Sequence, residues 1–194
     1  MLASIHPLGE RARDRRWGVT VGAYLLGSTL AAALLGAALG AIGDVLPLTP
    51  GVTAALLLAA GGLALAADLG AFRLPTIHRQ VDKDWLDRYR GWVVGAGFGF
   101  QLGLGVVTIV NTAAVYLTLA LSLLSGSAAA GALVGTTFGL VRALVILVVA
   151  PVRRPDQLRL ALRRLHGWRS LSQRAGIAVQ ALFLVAAGAV AIAQ

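Results

Sequence analysis

The sequence predicts an all-α fold, a polytopic transmembrane helix bundle of about five spans with its N-terminus in the cytoplasm. Three observations carry this. Of 194 residues, 58 % are hydrophobic and only 13 % are charged, whereas soluble domains carry about 25 % charged residues. The apolar residues fall into five long runs, and hydrocarbon forces each run to satisfy its own backbone amides as helix. Sixteen of the seventeen Lys and Arg residues lie before the first run or in alternate intervals between the runs.

The first run is Gly18 to Gly43, closed by Asp44 and the turn-forming Pro47 and Pro50. The second, Val52 to Phe72, is interrupted only by Asp68. The third, Gly91 to Leu124, contains no charge. As one straight helix it would be about 51 Å long, well beyond a bilayer core of about 30 Å, so it is expected to be tilted, broken or folded back. Ser125-Gly126-Ser127 separates it from the fourth run, Ala128 to Val149, and the fifth is Ala175 to Ala193.

Positive charge sets the orientation. Residues 1–17, 73–90 and 150–174 are basic, while the intervals around Asp44 and Gly126 hold no Lys or Arg. The positive-inside rule puts the basic segments in the cytoplasm, the C-terminus outside, and the whole chain in one transmembrane domain of a bacterial inner membrane. All four tryptophans, Trp17, Trp85, Trp92 and Trp168, fall at the cytoplasmic edges. Between Asp156 and Trp168, Leu158, Leu162 and Leu165 recur at helical spacing opposite arginines. This reads as an amphipathic helix on the inner leaflet, or as a solvated connector.

The net charge of +9 is therefore a topology signal and not a phosphate-binding footprint, so membrane lipids and not nucleic acid are the expected partners. The chain has no cysteine, which excludes disulfides and thiolate chemistry of its own. No secretory signal is expected. Arg15-Arg16 resembles a twin-arginine signal, but the apolar stretch behind it is too long for one. His6, His78 and His166 lack metal-ligand spacing. With no nucleophile set or phosphate loop in the sequence, neither an enzyme nor a cofactor is expected.

Two glycine ladders stand out: Gly91, Gly95, Gly99 and Gly103, then Gly131, Gly135 and Gly139. Fourfold spacing bares one helix face to a close neighbour, and glycine also weakens the helix that carries it. The polar residues Gln101, Thr108, Asn111 and Thr112 follow in the same uncharged run. Broken helices at membrane depth expose backbone to substrates in many carriers, though polar residues there also serve as helix-helix glue. Asp68 and Arg142 are ionisable residues inside spans, and both are expected in the cytoplasmic half. They are read as an ion pair, as a snorkelling arginine, or as a substrate contact, with Thr136 and Thr137 near the same cavity. The candidate substrate-binding residues are Asn111, Thr108, Gln101, Arg142 and Asp68.

From Gly91 onward the order of segments resembles the cytochrome c biogenesis and thiol-disulfide carrier transmembrane family of the DsbD/CcdA type, within the lysine-exporter superfamily. Gly103-Leu104-Gly105-Val106-Val107-Thr108 stands where that family has a glycine-rich break with a Pro-Cys centre. The two later runs complete a half, and Gly22 to Gly27 with Gly61-Gly62 resemble the other half, with an opening helix reduced to Leu2–Leu8. The resemblance implies a degenerate three-plus-three transporter scaffold without the redox cysteines. A small transporter or exporter is the leading expectation, possible as a homo-oligomer. The rival is a non-transporting scaffold or a subunit of a larger membrane complex.

Overall fold

The computed structural model describes residues 5–72, 74–75, 88–105 and 112–192. All regular structure among them is helical: α1 (Pro7–Ala12), α2 (Trp17–Asp44), α3 (Pro50–Asp68), α4 (Gly91–Gly103), α5 (Ala114–Leu124), α6 (Ala128–Leu144), α7 (Pro155–Gly167) and α8 (Arg169–Ile192). A 3₁₀ turn, Val145–Val149, extends α6. Four helices, α2, α3, α6 with its extension, and α8, are long and apolar enough to cross a membrane, and α5 is a shorter apolar helix.

Local chemistry explains the starts. Thr49 accepts the Val52 N–H and Pro50 occupies the first turn of α3, where its missing N–H costs nothing. Ser127 does the same for α6 by accepting the Ala130 N–H. The chain's turn at Gly126 has φ +55°, a left-handed conformation that glycine adopts without penalty.

α2 is the central element, and small residues are what bring its neighbours close. Its buried face is Thr20, Val21, Tyr24, Gly27, Ser28, Ala31, Ala32, Gly36, Gly40 and Gly43. Its opposite face presents Leu26, Leu30 and Leu34, each more than half exposed. Leu133 is 71 % exposed and Val185 72 %. Small residues inside and large aliphatics outside is the arrangement of a protein whose solvent is hydrocarbon, where side-chain packing and not water exclusion joins helices.

Both glycine ladders dock on α2. A Cβ at Gly95, Gly99 or Gly103 would fall on the carbonyl oxygens of Thr20, Tyr24 and Ser28. One at Gly131 or Gly135 would fall on those of Gly36 and Ala32. Ser28 Oγ donates to the Gly139 carbonyl at 3.0 Å and adds a polar tie to the same seam. α3 and α8 pack on one another, with α3 also against α5, so they form a flank beside the α2-centred seam.

The third apolar run, expected to be tilted, broken or folded back, is broken. α4 ends at Gly103, Gly105 turns with φ +72°, and α5 begins at Ala114. α8 begins at Arg169, earlier than the last apolar run, so the basic residues there continue the helix. α7 is helical as its leucine spacing predicts, and Leu158 and Ala161 pack against the bundle core. That face is spent partly on protein, neither wholly on lipid nor on water.

Candidate functional site

The carboxylate of Asp68 stands at the break. Asp68 is the last residue of α3, and the first N–H groups of α5 have no partner within their own helix. Asp68 Oδ1 accepts the Ala113 N–H at 2.8 Å. Its Oδ2 accepts the Thr112 hydroxyl at 2.6 Å and the Gln180 Nε2 at 2.7 Å. Thus a residue from α3 caps a helix far away in sequence, and its negative charge faces the positive end of that helix. The Asp68 carbonyl accepts Gln173 Nε2 at 3.4 Å, a second tie to α8. Tyr116 Oη donates to the Pro75 carbonyl, holding the chain beyond α3 against the first turn of α5.

The place of this cluster along the run follows from helix rise. α4 covers about 20 Å before the break and α5 about 16 Å after it, so the contact between Asp68 and Ala113 falls at the break and at neither outer end of the interrupted run. Asp68 is half-buried and Ala113 is buried. Gln180 is only 3 % exposed, and its Oε1 has no hydrogen-bond partner.

The expected site residues divide. Asp68 is brought into a polar cluster, whereas Arg142 lies on α6 with its guanidinium 5.6 Å from the Phe138 ring centroid. The ion pair between them is not formed; Asp68 instead accepts from Ala113, Thr112 and Gln180. Gln101 is half-buried on α4 and takes no part in the Asp68 cluster. Thr108 and Asn111 lie outside the described residues. Thr137 turns back to bond the Leu133 carbonyl of its own helix at 2.9 Å.

Gln180 was not singled out in the sequence, although it is the one polar side chain between Ala175 and Ala193. Glu10 is the other unforeseen residue. It is fully buried, and its Oε2 accepts the Thr20 hydroxyl at 2.5 Å. Nearby, Arg15 donates to the Tyr89 carbonyl at 2.7 Å. These residues anchor α1 against α2 and α4 at the arginine-rich end, where Gly91 leaves room for Thr20 and Glu10 to meet.

At the arginine-poor end a cavity of about 640 Å³ opens between α3, α5 and α8, lined by Leu57, Leu123, Phe183 and Ala187 with Asp44 at its rim. A second space, about 10 Å³, lies where Gly103, Val115, Gly135 and Phe138 converge at the break. It has room for about one water molecule.

Residues 2–189 match the family described as cytochrome c biogenesis protein transmembrane region. Among curated proteins, the chain is 33 % identical to methylamine utilization protein MauF of Paracoccus versutus, covering 97 % of this chain and 68 % of that one. It is 32 % identical to the MauF of Methylophilus methylotrophus, over 98 % of this chain and 67 % of the relative. It is also 32 % identical to that of Paracoccus denitrificans, over 89 % and 61 %. No solved structure matches. Among the described residues no group of three or more His, Cys, Asp or Glu side chains is placed to hold a metal.

Proposed function

The chain belongs to the family of the cytochrome c biogenesis protein transmembrane region, and from that premise we propose that it is a small inner-membrane carrier working without catalytic chemistry. The observation that supports this most is the interrupted third span, whose second helix is capped in trans by Asp68, a carboxylate set in an apolar run. A charge within a span is costly unless it is used or paired. Helix ends opened at depth are where carriers hold their cargo. The redox chemistry of the wider family is outside this reading, because no thiol is present. The likeness to proteins named for methylamine utilization suggests service to such a system, with the arginine-rich segments in the cytoplasm.

Swelling of proteoliposomes in iso-osmotic solutions of methylammonium chloride, alanine, lysine or phosphate tests this without prior choice of cargo. A solute-selective rate above that of empty vesicles is expected, reduced by Asn111→Ala or Arg142→Ala without loss of folded yield. Equal rates for empty and loaded vesicles with every solute would sink the carrier reading.

A second reading is favoured by α8, whose apolar window is only 6 % buried. Such a bare helix suits a subunit that docks a partner in the membrane, or a second copy. Co-purification of one stoichiometric membrane partner, with no flux by the isolated chain, would favour it.

A further inference from the structure

We propose that Asp68 and Gln180 together bind a primary ammonium group that enters from the arginine-poor end, an inference that rests on the carrier reading and names its cargo class. The starting point is an orphan. Gln180 is 3 % exposed, its Nε2 is committed to Asp68 at 2.7 Å, and its Oε1 has no partner. Turning the amide over would press its oxygen on a carboxylate oxygen, so the acceptor is the end left over. A buried acceptor without a donor is unfavourable and calls for one.

Asp68 leaves capacity of the same kind. A carboxylate offers about four acceptor positions, and the structure fills one on Oδ1 and two on Oδ2. The cluster therefore has a negative charge and spare acceptors, with every donor already used. A ligand that completes it must bring hydrogen-bond donors and positive charge. A hard metal ion such as Ca²⁺ takes six or more oxygens, more than this pair can offer. The three N–H donors of a primary ammonium suit two acceptors and a charge.

The approach has the same sign. The cavity above the site carries Asp44 as its only charged lining residue, and residues 44–50 and 125–127 contain no Lys or Arg. Leu57, on its wall, lies about 16 Å above Asp68 along α3. An acidic entrance raises the local concentration of cations and repels anions.

Equilibrium binding of radiolabelled methylammonium chloride to the full chain in nanodiscs tests the site, with choline chloride holding ionic strength constant. Saturable binding is expected, weakened at least about tenfold by Asp68→Asn and by Gln180→Leu. Gln180→Glu keeps an acceptor in place while its carboxyl shares a proton with Asp68, so its binding is expected to persist and to strengthen as pH rises, and the proposal does not hang on loss of folding. The proposal is overturned if the native chain binds nothing above the choline control. It is overturned also if sodium displaces methylammonium at equal concentration, or if both loss variants bind as the native chain does. Binding without vesicle flux would keep the site and remove the carrier reading, while flux of another solute without ammonium binding would remove the site alone.

Discussion

Thr20 donates its hydroxyl to the Glu10 carboxylate across 2.5 Å, and this contact joins the short N-terminal helix α1 to the central helix α2. The distance is in the range of charge-assisted O–H···O⁻ bonds. Glu10 is fully buried, so losing its donor leaves an acceptor in an apolar setting. Thr20→Val is expected to cost about 1.5–3 kcal/mol in thermal unfolding in detergent. Glu10→Gln keeps an acceptor for the hydroxyl and is expected to cost less. Equal melting of both variants and the native chain would remove this tie from the account of stability.

The pH response of α1 is set by His6. Its Nδ1 accepts the Gly9 N–H at 3.1 Å, which only the neutral ring can do. Burial first, and then Arg13, push its pKa below the ordinary histidine value of 6.5, with Glu10 opposing. A lowered folded pKa means the capped form contributes stability fully present above that ordinary value and lost as pH falls through the lowered one. Hydrogen exchange of α1 amides is expected to quicken on acidification between about pH 7 and pH 5, beyond the intrinsic pH dependence. His6→Asn, a capping residue that does not titrate, is expected to flatten the response.

Two glycines of similar appearance are expected to respond with opposite sign. Gly99 lies against the Tyr24 carbonyl, while nothing stands within 4 Å of a Cβ at Gly22. Gly99→Ala is expected to destabilise by about 1–3 kcal/mol through overpacking against backbone. Gly22→Ala is expected to stabilise by about 0.5–1 kcal/mol, because alanine is the better helix former. Melting temperatures of the two variants in one detergent decide the point.

Asp68 and Gln180 are expected to be energetically coupled. Asp68→Ala strands the Gln180 amide and the Ala113 N–H, and Gln180→Ala removes one of the carboxylate's donors. Each single change is expected to cost about 1–3 kcal/mol. The pair is expected to fall short of the sum by about 0.5–3 kcal/mol in a double-mutant cycle. Strict additivity would show that the bond carries no stability.

The bundle was legible because its causes are local. Run length and the alternation of arginines are written along the chain, but that the overlong third run breaks, and where, comes from the structure. The glycine ladders were read as packing faces, and Gly95 to Gly103 do press on α2. The site was legible in half. Asp68 is conspicuous as a charge in an apolar run, but its partners come from α5 and α8, and nothing along α3 names them. Charge alone suggested Arg142, whereas helix-end hydrogen bonding recruited Thr112, Ala113 and Gln180. Glu10 was hidden by its neighbours, since an acid among arginines near a chain terminus looks solvated. Its burial depends on the turn that folds α1 back on α2 and on the room left by Gly91.

The seam on α2 has a bearing on what identifies the fold. Its register is written in atoms that are missing, because Gly95, Gly99, Gly103, Gly131 and Gly135 accept no side chain without moving a backbone. A chain without a single thiol is therefore keyed by the spacing of its smallest residues.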